Sequence, residues 1–230
     1  MKRRPTLLSA LAVLLVAGLT AGCGGSSEKA QRPYTPNIDP ADFVREIDNK
    51  YFPLKPGTTF VYAGNAERDE MAVTHTTKQI MGVECVVVND RLWEDGKLIE
   101  QTYDWYARDK EGNVWYFGEA TKEYKEGKVS TEGSWEAGVD GAKPGIMMQA
   151  NPKVGQSYRQ EYYKGHAEDW AQVVNLDETV KVPYGSFKHV LVTKEWTPLE
   201  PNLVEHKYYA PGVGPVGPPG GLELIDIKKG

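Results

Sequence analysis

The chain has 230 residues, with 27 Lys and Arg against 32 Asp and Glu; without the first 22 residues, whose only charges are Lys2, Arg3 and Arg4, 24 basic face 32 acidic residues. This acidic balance excludes a nucleic-acid binder, which presents a basic face to phosphates. Hydrophobic residues at 40% exclude a disordered chain, and six Trp with thirteen Tyr favour strands over helices.

At the N-terminus, Lys2-Arg3-Arg4 precedes an apolar run of thirteen residues, Leu7 to Leu19. That is short of the roughly 20 residues a spanning helix needs, and it has the layout of a secretory signal. The run ends in Leu19-Thr20-Ala21-Gly22-Cys23, which resembles the lipobox of bacterial lipoproteins. The resemblance implies that residues 1–22 are a signal peptide removed before Cys23, and that the Cys23 sulfur carries a diacylglycerol. Two or three acyl chains hold a protein stably where a single chain does not. Gly24 after the cysteine implies delivery to an outer membrane in a double-membraned cell; in a single-membraned cell the chain would sit on the outer face of the plasma membrane. Residues 23–37, opening with Gly24-Gly25-Ser26-Ser27, read as a flexible tether, and 38–230 as one domain.

Asp39-Pro40 predicts the start of a short helix, with Asp39 as N-cap, Pro40 in the first turn, and Phe43, Val44 and Ile47 on one apolar side; it is expected to stop before Pro53. From there the period changes. Thr58 to Ala63, Glu70 to Ile80, Val83 to Trp93, Leu98 to Ala107 and Val114 to Gly118 read as sequential antiparallel strands, separated by glycine- and Asx-containing turns. In the third of these, Cys85 lies among Val83, Val86, Val87 and Val88; with Cys23 acylated it has no disulfide partner, and it reads as a small buried hydrophobe.

Glu132 to Pro152, with four glycines and two prolines and no period, reads as a long loop and a candidate lid. Strands resume at Gln156 to Lys164, Ala167 to Asn175, Phe187 to Trp196 and Leu203 to Ala210, and Leu222 to Ile227 follows a Gly/Pro-rich stretch. No βαβ alternation is present. The expected fold is all-β and mainly antiparallel: about ten strands curved into an open or half barrel, with one short N-terminal helix over an opening or edge.

Catalytic motifs are thin. Gly212-Val213-Gly214-Pro215-Val216-Gly217 matches a dinucleotide fingerprint in letters, but Pro215 and Pro218-Pro219 forbid the helix that such a site needs. Asp109-Lys110-Glu111-Gly112-Asn113 lacks the distal ligands of a calcium loop and reads as a hairpin turn. His166, Glu168 and Asp169 fail as a metal set, because neighbours on a strand face opposite ways. No cofactor and no metal is expected.

The informative pattern is polar residues set inside aromatic strands. Along Tyr158 to Tyr163, one face carries Arg159, Glu161 and Tyr163 and the other Tyr158, Gln160 and Tyr162; Asp104, Glu195 and Glu205 interrupt other apolar strands. Three readings stand: a wet sheet face, a concave binding cleft, or paired carboxylates acting on a glycoside.

Several segments together resemble one uncharacterised family of bacterial lipoproteins. They are Tyr51-Phe52-Pro53-Leu54 to Thr58, Asp104-Trp105-Tyr106 through Trp115-Tyr116-Phe117-Gly118-Glu119, Gly133-Ser134-Trp135-Glu136, Tyr158 to Tyr162, and Lys207-Tyr208-Tyr209-Ala210-Pro211-Gly212-Val213-Gly214. That resemblance implies an envelope protein and assigns no activity. The last segment is also similar to LolA/LolB-like open-barrel envelope proteins. The expectation is a non-enzymatic, lipid-anchored envelope protein that binds a small or amphipathic ligand, or a protein partner. Its candidate lining residues are Trp105, Trp115, Phe117, Arg159, Glu161 and Tyr163. The alternatives are a carbohydrate-active hydrolase using Glu161 with Glu195 or Glu205, and a structural envelope component without a pocket.

Overall fold

The computed structural model describes residues 33–230. Residues 1–32, with the expected signal peptide, Cys23 and most of the expected tether, lie outside the described residues. The chain opens with a single 3-10 turn at Pro40–Asp42, then three short strands, β1 (Phe43–Val44), β2 (Ile47–Asp48) and β3 (Pro53–Leu54). Five long strands follow: β4 (Thr58–Gly64), β5 (Glu67–Ile80), β6 (Val83–Glu94), β7 (Lys97–Asp109) and β8 (Val114–Lys125). Three short ones, β9 (Lys128–Ser130), β10 (Trp135–Glu136) and β11 (Lys143–Met148), pair back onto β8. β12 (Ser157–Arg159) and β13 (Glu161–Tyr162) lead to β14 (Trp170–Val182), β15 (Gly185–Trp196), β16 (Val204–Ala210), β17 (Gly214–Pro215) and β18 (Glu223–Lys229).

These strands make two antiparallel sheets and a small β2-β3 ribbon. The larger sheet runs β13-β11-β8-β7-β6-β5-β4-β18 and curves into an open half-barrel, with β1 on β7 and β9 and β10 on β8. The smaller runs β12-β14-β15-β16-β17. The all-β expectation holds, and its meander has a local cause. Met81-Gly82 and Asp95-Gly96 both take positive φ at each turn residue, the hairpin geometry whose twist matches the flanking strands.

Two expectations are corrected. The predicted helix is absent beyond its first turn. Asp39 does cap it, accepting a hydrogen bond from Ala41 N at 2.9 Å. But Phe43 pairs with Asp109 and Ile47 with Leu54, so the apolar residues meant for a helical face are recruited into sheet pairing. So short a helix has little stability of its own to resist this. The second correction is the 132–152 segment, expected as a long loop and candidate lid: its turns carry two short strands, β10 and β11, that pair onto β8. Trp135 lies opposite Glu119 and Ile146 opposite Trp115, and Trp135, Met147 and Met148 are buried.

A chain of rings joins the two sheets. Tyr116 meets Trp135 edge-on at 5.4 Å and stacks on Tyr106 at 4.8 Å; Phe52 then bridges Tyr106 (5.4 Å) to Tyr209 (6.3 Å) on the smaller sheet. Each such ring contributes roughly 1.5–3 kcal/mol by burial. Cys85 is fully buried beside them, and loss of hydration pushes its thiol up to about 12, as its valine neighbours predict.

Candidate functional site

Two features carry chemistry: an aromatic groove on the outside and a set of acids on the inside. The groove has a volume of about 710 Å³, within the roughly 300–1,000 Å³ of ordinary ligand sites. Its walls are the aromatic side chains of Tyr34, Trp115, Tyr162 and Trp170, with Ile146 between them and Arg159, Lys164 and Glu168 as its charged groups.

The strands explain how these meet. Arg159 on β12 lies directly opposite Trp170 on β14, and its guanidinium sits 4.5 Å from the Trp170 ring, 4.7 Å from Tyr162 and 5.8 Å from Tyr34. Trp170 is backed by Trp196, its partner across β15, in a parallel stack at 6.2 Å. Trp115 is aimed by the turn before it, its Nε1 donating to Asp109 Oδ2 at 2.8 Å. Tyr34 donates to Pro144 O at 2.9 Å, and Lys143 Nζ donates back to Tyr34 O. Burial pushes the Tyr34 phenol up to about 12, with Arg159 opposing. The segment from Pro33 to Pro36 is thus a wall of the groove, and the folded part of the chain begins before residue 38.

Of the six candidate lining residues, Trp115 and Arg159 share this groove. Trp105 is buried under Lys78, whose Nζ is 3.4 Å from the ring centroid, and Phe117 is buried against Phe43. Glu161 is buried in the interior, and Tyr163 stacks on His166 at 4.3 Å. The expected two-face alternation fails at Gln160, where the chain passes from one sheet to the other and Gln160 N bonds Asp169 O at 2.8 Å. This break puts Tyr162, not Glu161, beside Arg159. Tyr162 and Trp170 were legible as aromatic strand residues, whereas nothing local marks Tyr34.

The interior acids are no wet face. Asp69, Asp90, Asp104, Glu119 and Glu161 are all buried. Asp104 lies opposite Glu119 across β7 and β8, and Asp90 opposite Thr102 across β6 and β7. Asp104 Oδ1 accepts from Tyr116 at 2.6 Å and Glu119 Oε2 from Thr121 at 3.1 Å, while Asp104 Oδ2 and Glu119 Oε1 have no hydrogen-bond partner among the described residues. Loss of hydration raises the carboxyls of all five, and Asp69 reaches about 7. Asp90 is raised further by the charge of Asp69.

On the smaller sheet Glu195 accepts from Thr193 (2.8 Å), Gln160 (3.2 Å) and Tyr209 (3.2 Å), and pairs with Lys207 at 3.0 Å. Glu205 lies opposite Glu195. The space beside Asp169, Glu195, Glu205 and Lys207 is about 20 Å³, room for a water and not for a sugar. Glu161, Glu195 and Glu205 therefore do not face an open cleft. Among the described residues, no group of three His, Cys, Asp or Glu is arranged to hold a metal ion, and no helix is long and apolar enough to cross a membrane. Comparison with family models, curated proteins and solved structures finds no match, so the groove is interpreted from its own chemistry.

Proposed function

We propose that this chain is a lipid-anchored cell-envelope protein that binds a small or amphipathic ligand in the groove between Trp115 and Trp170. The observation that carries the reading is the groove itself: about 710 Å³, walled by four aromatic rings, with a guanidinium fixed among them. Large flat apolar faces with a few fixed polar groups are what a ligand site needs. The anchor rests on the basic head, short apolar run and Leu19-Thr20-Ala21-Gly22-Cys23 of the sequence. The carbohydrate-hydrolase alternative gains nothing from the geometry, because Glu161 and Glu195 are buried and the space beside Glu195 and Glu205 is too small for a sugar.

Native mass spectrometry of the protein purified from its own envelope tests the reading. A retained small molecule, lost on replacing both Trp115 and Trp170 by Ala, is the expected result; its absence from the unsubstituted protein counts against the groove. Cys23→Ser is expected to move the chain from the membrane fraction to the soluble one, and unchanged partitioning would remove the anchor.

A further inference from the structure

We infer that the groove takes an anionic amphiphile from the bilayer, its acidic head on Arg159 and Lys164 and its apolar body along Trp115, Ile146 and Trp170. This rests on the groove reading above and adds the ligand's charge and source.

The charge follows from an unspent donor. The Arg159 side chain is 11% exposed, held by rings on several sides, and its Nη1 is buried with no hydrogen-bond partner. Ring faces attract the cation but accept its in-plane N–H groups poorly. Glu168 Oε2, the nearby carboxylate, is 3.9 Å from Nη1, beyond hydrogen-bond reach, and Glu168 Oε1 is already taken by Gly165 N at 2.8 Å. A buried charged donor without an acceptor is costly, and an anionic oxygen would satisfy it. Lys164, exposed at the mouth, adds a second positive charge against the single one of Glu168.

The apolar body follows from size and walls. A bare anion would leave most of 710 Å³ and the faces of Trp115, Ile146 and Trp170 unused. The source follows from chain length. Pro33, which already lines the groove, lies ten chain steps beyond Cys23. Fully extended they span at most about 35 Å, so an anchored chain keeps the groove within that distance of its bilayer.

The test uses the full lipidated chain in phosphatidylcholine nanodiscs, titrated with phosphatidylglycerol or phosphatidylcholine carrying brominated acyl chains, which quench nearby tryptophans. Phosphatidylglycerol is expected to quench with at least about tenfold higher apparent affinity than phosphatidylcholine, the size of one lost charged hydrogen bond. The preference disappears in Arg159→Met and falls in Lys164→Ser, whose exposed site does not threaten the fold. The quenching itself is lost when Trp115 and Trp170 are both Phe, and inorganic phosphate does not compete. Equal quenching by both lipids would overturn the charge assignment and leave the groove reading intact. Displacement by inorganic phosphate alone would overturn the lipid source. Quenching by neither lipid would overturn the whole inference, while a ligand retained in native mass spectrometry would still uphold the groove.

Discussion

Lys207 Nζ lies 3.0 Å from Glu195 Oε2 on the inner face of the smaller sheet, with both side chains nearly enclosed. Burial pushes the Lys207 ammonium down, but Glu195, Glu205 and Asp169 together push it up by more, so it stays charged. Such a pair adds little net stability over an apolar pair, yet breaking it strands a charge. Lys207→Met is therefore expected to destabilise the protein by about 3–5 kcal/mol. Adding Glu195→Gln is expected to restore much of the loss, because Gln keeps an oxygen for Thr193 and Tyr209. Urea unfolding of the two single variants and the double variant measures this; purely additive losses would contradict the pairing.

The acids lining the half-barrel set the response to pH. Each has a carboxyl raised on folding, so the native state holds more protons than the unfolded chain between the two pKa values, and stability falls as pH rises. Full stability from this source lies below the unfolded value of about 4, and the part due to Asp69 is lost as pH climbs to its folded value of about 7. Glu70, lowered by its partners Arg68, Lys228 and Arg91 despite its own partial burial, opposes weakly from a more exposed position. The expected outcome is a urea midpoint that falls from about pH 5 to about pH 8, and a flatter dependence in Asp69→Asn. A midpoint rising over the same range would contradict the enclosed, protonated core.

Gly118 illustrates a backbone constraint inside a long strand. Its φ is +124°, and a Cβ there would come within 2.2 Å of Trp135 O on the strand crossing it. No rotamer relieves that contact, because both partners are backbone. Gly118→Ala is expected to cost more than about 3 kcal/mol, combining strain at positive φ with displacement of β10. Thermal unfolding measures the loss, and a reduced ring-current shift between Tyr116 and Trp135 locates it. A change below about 1 kcal/mol would mean that β10 can move away freely.

What the sequence disclosed and what it hid divide along local and distant contacts. The strands from Thr58 to Gly118 were legible because their alternation and their turns, such as Asp95-Gly96, lie within a few residues of one another. The helix expected after Asp39 failed because Phe43 serves equally in a strand, and the edge it joins, Asp109, lies 66 positions further on. The glycines of 132–152 suggested a loose loop; Gly145 is instead there for contact, since a Cβ would come within 2.3 Å of the Gln160 carbonyl. Arg159 and Trp115, two of the candidate lining residues, do line the groove, and each drew notice because it sits in a conspicuous aromatic strand. Tyr34 was lost in the tether, since what fixes it is a hydrogen bond to Pro144, 110 residues away.

Asp109 gives the last expected outcome, because one turn residue controls the aim of a groove residue. Its side chain accepts from Asn113 N, Asn113 Nδ2 and Trp115 Nε1, all at 2.8 Å, and it is nearly buried. The first two bonds tie the turn, while the third orients the indole that walls the groove. Asp109→Ala is expected to cost about 2–3 kcal/mol by stranding these donors, and to weaken groove binding although Asp109 lines no part of it. Asp109→Asn keeps one acceptor oxygen, so it is expected to retain most of the stability while disturbing either the turn or the indole. The readout that separates positioning from simple destabilisation is the Trp115 indole N–H resonance. It is expected to move in the Asn variant at a temperature where the fold is intact, together with any change in ligand affinity. An unmoved resonance accompanied by weakened binding would show that Asp109 acts by some route other than the aim of Trp115.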